Sequence, residues 1–313
     1  MSAIQNKTIR TGNSKKKSIS LRRLGKGPVL WLIPLALVLI LMFLYPTFEV
    51  IRLSFTNAKI TSSDYTYTLD SFKSMFRGGA FYTMLRVTAV FVVLSVVFQT
   101  LVGFVIALAV DKGEKLNLKG TVFVRTVALM SWAIPGVVIG IIWRLIYDES
   151  SSGVLNYMLE SVGIGHIAFL SNPAVALISV TVANIWRGSA QSMILLYAGL
   201  KTVQQEMVEA AEVDGASAWQ RLTKIIIPSI MPVVMINITL NTIYTVNTFD
   251  MVMSLTGGGP GRSTEVLALN SYTQIFQMFN LGRGAAVAVF LLGVNVVMAS
   301  IYFHMIRNTE EGI

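Results

Sequence analysis

The chain has 313 residues, of which 54% are hydrophobic and only 13% charged, and its mean hydropathy is +0.65; a soluble domain needs more charged surface, so the composition points to a membrane protein. The 25 Lys and Arg against 16 Asp and Glu leave a formal charge of +9, but the excess gathers at the N-terminus without interleaved aromatics, which argues against nucleic-acid binding and for contact with anionic lipid. No cysteine is present, which excludes disulfides, thiolate chemistry and Cys-bound metal.

In chain order, residues 1–28 form a basic tail in which Lys7, Arg10, Lys15, Lys16, Lys17, Arg22, Arg23 and Lys26 stand without an acidic residue. The apolar run that follows is longer than the roughly 7–15 residues of a signal-peptide core and lacks a small-residue cleavage site, so a retained span is expected. A hydrocarbon core of about 30 Å needs about 20 apolar helical residues. On that criterion we expect an all-α membrane protein with six transmembrane helices near residues 29–51, 85–110, 122–147, 174–200, 226–255 and 285–306, and a short tail at 307–313. Lys112, Lys115, Lys119, Lys201, Arg221, Lys224 and Arg307 fall on the same side as the basic tail, whereas residues 148–173 contain no Lys or Arg. The positive-inside rule therefore puts both termini in the cytoplasm. The first outer loop, residues 52–83, is an exception, with Arg52, Lys59, Lys73 and Arg77. Short helices are expected at 71–75 and 154–162. Pro34, Pro135, Pro228 and Pro232 fall in or at the ends of spans, where prolines are either simply tolerated or bend the helix and free backbone carbonyls.

Between the fourth and fifth spans, about residues 200–226, the pattern reads helix, turn, helix. Thr202 with Gln205 can form a capping box, residues 207–213 favour helix, Asp214-Gly215 supplies a turn with positive φ, and Ser217 can cap a helix through residues 218–227. A side chain at Gly215 would strain that turn and hold a partner away. Glu209-Ala210-Ala211, then Asp214-Gly215-Ala216-Ser217, Trp219-Gln220, Ile225, Pro228 and Pro232 resemble the EAA loop of ABC importer permeases in its carbohydrate-importer form. Gln204 and Val208 depart from that pattern, where Pro and Tyr are frequent. Thr248-Phe249-Asp250, Leu255-Thr256-Gly257-Gly258-Gly259-Pro260 and Thr264-Glu265-Val266-Leu267 resemble the end of span five in maltose F-type permeases. The large extracytoplasmic insertion of the maltose protein is absent.

That resemblance implies a type I ABC importer permease fold with a cytoplasmic coupling helix between spans four and five, in a bacterial or archaeal cytoplasmic membrane. It implies a sugar-transport pathway subunit that is not an enzyme. Its implied partners are a second, G-like permease, two ATPase subunits and an extracytoplasmic solute-binding protein. Glu209, Ala210, Ala211, Asp214, Gly215 and Ala216 are the ATPase-docking candidates, Glu209 by pairing with a basic residue and Gly215 by permitting close approach. ATP and Mg would be used by the partners, with no cofactor bound by this chain. The GGGPGRST stretch from Gly257 to Thr264 fails the glycine spacing of a phosphate-binding loop and has Arg262 near the position of its lysine.

Polar residues within spans mark a pathway or tie helices together. Asn237, Asn241, Tyr244 and Thr248 recur at three and four residues, on one helix face. Amides, hydroxyls and an aromatic ring suit a sugar, and the resembling permeases line their solute cavity with these parts of spans four and five. The solute-pathway candidates are accordingly Gly188, Gln191, Tyr244, Thr245, Asn247 and Thr248, with Arg187 and Asp250 as candidates for gating or an ion pair. Arg86, Arg125 and Arg144 are expected to snorkel at span ends. His166 and His304 have no partner at metal spacing, so no metal site is expected. A glycerol-phosphate permease or one for another small polar solute would share this pattern and use Arg187 for phosphate. A secondary transporter would need a deeply placed carboxylate relay, for which Asp250 is the lone candidate.

Overall fold

The computed structural model describes residues 29–150 and 153–310, so the basic tail at 1–28 lies outside the described residues. The chain divides into two units, Met1–Glu49 and Val50–Ile313. In the first, α1 (Val29–Leu39) accommodates Pro34 and passes through a π-helical turn, Ile40–Leu44, into α2 (Tyr45–Ser54), which ends in the second unit. Leu32–Ser54 is long and apolar enough to cross a bilayer.

The second unit continues with α3 (Asp70–Arg77), α4 (Gly79–Lys115), α5 (Thr121–Ala133), α6 (Gly136–Ile146), α7 (Val154–Ser161) and α8 (Pro173–Leu200). It then runs through α9 (Gln205–Val213), α10 (Ala218–Arg221), α11 (Ile227–Ser229), α12 (Met231–Val246), α13 (Asp250–Leu255), α14 (Leu267–Tyr272) and α15 (Leu281–Glu310). The short helices expected in the outer loops are present as α3 and α7. The helix α15 continues to Glu310, so the expected tail at 307–313 is largely a continuation of the last helix.

Two of the expected spans are not single rods. The 122–147 segment is a pair, α5 and α6, bent by 105°. Pro135 excludes helical geometry from the residue before it, and Ile134 is extended, with ψ 131°. The 226–255 segment is broken twice. The first break is a 69° bend at Ile230, between Pro228 and Pro232. The second lies at Asn247-Thr248-Phe249, before α13. There, Asn247 Nδ2 donates to the carbonyl of Ile243 at 2.7 Å and Thr248 Oγ1 to that of Tyr244 at 2.8 Å. The Thr248 hydroxyl takes the Tyr244 carbonyl, which is left over because Thr248 N–H donates to Thr245 O instead, while the Asn247 amide adds to the backbone bond that Ile243 O keeps from Asn247 N–H. Such side-chain bonds make a break within a span tolerable.

The helix α8 is the central element. Asn172 caps it by accepting from the backbone N–H groups of Ala174 and Val175, and Pro173 occupies the first turn, where its missing N–H costs nothing. Its 28 residues span about 42 Å at 1.5 Å per residue. Several of its polar side chains turn inward, where Ser179, Thr181, Asn184, Ser189 and Ser192 are buried. Three apolar clusters hold the bundle: one around Phe91, Ile139, Val180, Met251 and Leu255, one around Phe81, Leu267 and Val287, and one around Ala107, Met193, Leu196 and Ile230.

Candidate functional site: a polar cavity and a docking loop

A cavity of about 370 Å³ opens where α12 breaks, and its walls come from α4, α5, α8, α12 and α13. It is lined by Gln99, Trp132, Asn184, Arg187, Gly188, Gln191, Asn241, Tyr244, Thr245, Asn247, Thr248 and Asp250. All six solute-pathway candidates, and both Arg187 and Asp250, therefore converge on one space. Asn237 does not: it is fully buried and donates to Thr100 Oγ1 at 3.2 Å, an interhelical tie. Asn241 touches the cavity and also donates to Ser192 Oγ at 2.7 Å, so it joins α12 to α8. Tyr244 lines the cavity and is 58% exposed. Asn247 exchanges amide hydrogen bonds with Asn295 of α15, at 3.3 and 3.2 Å, which ties the break to the last helix.

The charged pair is loosely closed. Arg187 Nη1 and Asp250 Oδ1 are 4.0 Å apart and both side chains remain partly exposed. Their opposite charges leave the cavity close to neutral, with donors and acceptors of both kinds facing it. The Nδ2 of buried Asn184 has no hydrogen-bond partner among the described residues.

Sequence reasoning missed Gln99 and Trp132. Gln99 Nε2 donates to the carbonyl of Asn184 at 3.0 Å, and its end lies across Gly188, where a Cβ would come within 2.3 Å of Gln99 Cδ. Glycine at 188 is what lets α4 and α8 approach here. The available signal was that Gln99 is the one amide in the apolar run 85–110. Trp132 lies in the last turn of α5, just before the Pro135 break, and a continuous span through that point concealed its position.

At the Lys115 end of α4 sits the helix-turn-helix loop. The helix α9 closes with a Schellman arrangement: Ala216 N–H donates to Ala211 O and Gly215 N–H to Glu212 O, at 2.9 and 3.0 Å. Gly215 adopts φ +82°, and a Cβ there would meet nothing within 4 Å, so the conformation alone demands glycine. Ser217 and Gln220 form the capping box of α10. The capping box expected at Thr202 does not form: Thr202 Oγ1 donates back to Gly199 O, and α9 starts after Gln204 without a side-chain cap. Arg221 pairs with Glu212 across the turn, and its guanidinium holds the Glu212 carboxyl below the usual range. Glu209 is exposed and unpaired among the described residues, one turn before Val213, and the same hairpin exposes Val213 and Trp219 by 88% and 70%. Asp214, Gly215 and Ala216 line a separate recess with Gln220, Lys224 and Ile225.

The loop is anchored to the bundle by an ionic network. Lys201 Nζ contacts Asp111 at 2.8 Å and Glu114 at 3.0 Å, Lys115 contacts Asp111 at 3.0 Å, and Tyr197 donates to Glu114. Arg125 does not simply snorkel: it pairs with Glu114 at 3.5 Å and stacks over the Tyr197 ring. Lys115 also donates to Gln205, the first residue of α9, at 3.0 Å.

An all-helical bundle whose spans break around a neutral polar cavity, and whose cavity-lining helices carry an exposed helical hairpin at one end, is the build of a membrane transport subunit. Residues 99–310 match the family described as the binding-protein-dependent transport system inner membrane component, and the chain belongs to it. Relatives include the probable ABC transporter permease protein PH1215 of Pyrococcus horikoshii, 32% identical and covering 90% of this chain and 96% of that one. The trehalose/maltose transport system permease protein MalF of Thermococcus litoralis is 32% identical over 65% of this chain and 67% of its own length. The sn-glycerol-3-phosphate permease protein UgpA of Rhizobium meliloti is 30% identical over 76% and 79%. A chain from a bacterial ABC transporter involved in import of the acidic polysaccharide alginate superposes with TM-score 0.77 at 21% identity, covering 92% of this chain and 98% of that one, a likeness of fold. The chain is thus a permease subunit of an ABC importer with a type I fold.

Proposed function

We propose that this chain forms, with a second permease, the pathway for a sugar or oligosaccharide, and that two partner ATPases drive it through the loop around Glu209 and Gly215. The observation that carries the solute class is the convergence of amides, hydroxyls and the Tyr244 ring on one near-neutral cavity. Such a surface offers hydrogen bonds to hydroxyls and a flat face to sugar C–H groups. An importer of a phosphate ester would draw on Arg187 instead, and the likeness to a glycerol-phosphate permease keeps that reading second; the contact between Arg187 and Asp250 favours the neutral solute. On this reading Gly188, Gln191, Tyr244, Thr245, Asn247 and Thr248 contact solute, while Arg187 and Asp250 set the charge. Glu209, Ala210, Ala211, Asp214, Gly215 and Ala216 dock the ATPase. The chain binds no cofactor of its own, the partners using ATP and Mg, and both termini lie in the cytoplasm.

The test is reconstitution of the copurified complex in vesicles, with ATP hydrolysis and uptake followed for a panel of solutes presented by binding proteins. We expect ATP-dependent uptake of a neutral saccharide. Transport by this chain without an ATPase partner would sink the reading, and a phosphate ester as the sole solute would replace sugar by the second.

A further inference from the structure

At the other end of α4 from the ionic network, some 30 residues or about 45 Å away along the helix, lies a second cavity of about 260 Å³. Its walls combine α3, the start of α4, the loop after α13, α14 with its π-helical continuation, and the start of α15. Two arginines, Arg262 and Arg283, share this small space with Asn270 and Gln274. Glu265 is the acidic side chain beside them: it holds Arg262 Nε at 3.3 Å and accepts from Asn270 at 2.8 Å, so its charge is committed. The Arg283 guanidinium and the Gln274 side-chain amide have no hydrogen bond or ion pair among the described residues. Arg262 is moreover held at φ +71°, a conformation uncommon outside glycine, with its side chain still half exposed. On the adjoining helix α3, the pair of Lys73 and Asp70 at 3.7 Å is neutral, and Arg77 adds another exposed positive charge. Lys73 and Arg77 are two of the four basic residues that break the positive-inside pattern in the first outer loop. A hydrophobic span does not require them, and an inner-leaflet lipid surface is on the opposite side of the membrane.

We infer that the Arg262–Arg283 cavity receives a carboxylate side chain presented by the docking face of the extracytoplasmic solute-binding protein. The inference rests on the importer reading above. One carboxylate entering here would neutralise the net positive charge left after Glu265 is counted. It would also take the paired N–H groups of Arg283 in the two-pronged geometry that arginine offers to carboxylates, with the Gln274 amide as a further donor. The site lies at the rim of the molecule, away from the solute cavity, so it governs encounter with the binding protein and leaves solute choice to the residues around Tyr244.

The experiment uses the whole complex in nanodiscs of zwitterionic lipid. ATPase activity is titrated with the binding protein that stimulates the wild-type complex. R283E is the main variant; a carboxylate in the first turn of α15 is compatible with the positive end of that helix, so the fold should tolerate it. We expect R283E to raise the concentration for half-maximal stimulation about tenfold at low salt, R283K to shift it much less, and the maximal rate to stay the same. One Asp or Glu reversal to Lys on the binding protein should restore R283E. Coincident titrations of R283E and wild type would overturn the proposal, as would a lowered maximal rate that no reversal rescues. A wild-type response that follows anionic lipid content and disappears in R283E would assign the cavity to a headgroup and overturn it too. A wild-type complex that no binding protein stimulates would refute the importer reading itself, a result distinct from all of these.

Discussion

Replacing Gly188 by alanine tests the cavity most directly, because the consequence follows from positions alone. The added Cβ would lie 2.3 Å from Gln99 Cδ, 2.5 Å from Nε2 and 2.7 Å from Oε1, too close for any native contact. The obstacle is the end of a flexible side chain and not backbone, so Gln99 should swing away and the helices stay in place. In doing so it gives up its 3.0 Å bond to the Asn184 carbonyl. A hydrogen bond between membrane helices contributes about 0.6 kcal/mol on average, whereas overpacking a close contact costs about 1–3 kcal/mol. Overpacking therefore dominates, and G188A should lose about 1–3 kcal/mol against detergent or heat while still inserting. The displaced amide has the 370 Å³ cavity beside it, so solute-stimulated uptake should fall more than stability does. Q99A should be mild, and G188A in the Q99A background nearly neutral, because the clash is gone. That coupling, read from a double-mutant cycle of thermal stability and of uptake, should approach the whole cost of G188A. A G188A chain with unchanged stability and uptake, or one that Q99A fails to rescue, would refute the placement of Gln99 against α8.

Other outcomes follow from the loop and the charged groups. Gly215→Val forces a β-branched residue into φ +82°, at about 1–2 kcal/mol of local strain, but with no atom to clash against; insertion should be normal and ATPase copurification lost, and normal ATPase recovery would count against docking there. D250A removes the partner of Arg187 and leaves a positive cavity, so discrimination between a neutral and an anionic solute should move about tenfold, or about 1.4 kcal/mol, toward the anion in competition uptake assays. Glu212, held below its usual range by Arg221, contributes loop stability that is present above the unfolded carboxylate value of about 4.3 and is lost as pH falls through the lower folded value. Amide exchange in residues 205–221 should accordingly accelerate below about pH 4, and R221A should abolish that pH dependence.

Several features written in composition and local spacing were legible: the turn at Asp214-Gly215, the Ser217 cap, the polar face carrying Tyr244 and Thr248, and most of the apolar segments. Among the described residues three helices are long and apolar enough to span a bilayer, five if each bent pair counts as one, and the helix at 174–200 is not among them. The breaks were not. Pro135 and the Pro228–Pro232 pair could as well have been tolerated within straight helices, and only the packing of α6 against α13 and of α12 against α8 selects the bent alternatives. The interruption at Asn247 was harder still, because it rests on side chains bonding to carbonyls one turn back, which Asn and Thr do in intact helices too. Gln99 was missed for a related reason: its position in the cavity depends on which helix faces α4, a tertiary fact. Arg125 looked like a residue reaching for the interface until Glu114 and Tyr197 were seen to receive it.

The network around Lys201 joins the helical hairpin at 205–221 to two of the helices that line the cavity. The helix α4 holds Gln99 in the cavity and Asp111, Glu114 and Lys115 at its end, while α8 holds Gly188 and is capped by Lys201, in the same order. The separations, 12 and 13 residues along the chain, are about 18 to 20 Å of helix, so both helices can act as rigid levers between the two sites. Lys115 bonded to Gln205 joins the first turn of α9 to that pair. Asp111 is buried, and taking Lys201 away would leave it with Lys115 alone, at a cost of about 1–3 kcal/mol. We therefore expect K201A to fold and to retain ATPase docking through the untouched α9 surface, but to hydrolyse ATP with little uptake, since displacement of the loop would no longer be shared between α4 and α8. Uptake per ATP equal to wild type in K201A would show that the force reaches the cavity by another route, such as the Pro228–Pro232 bend.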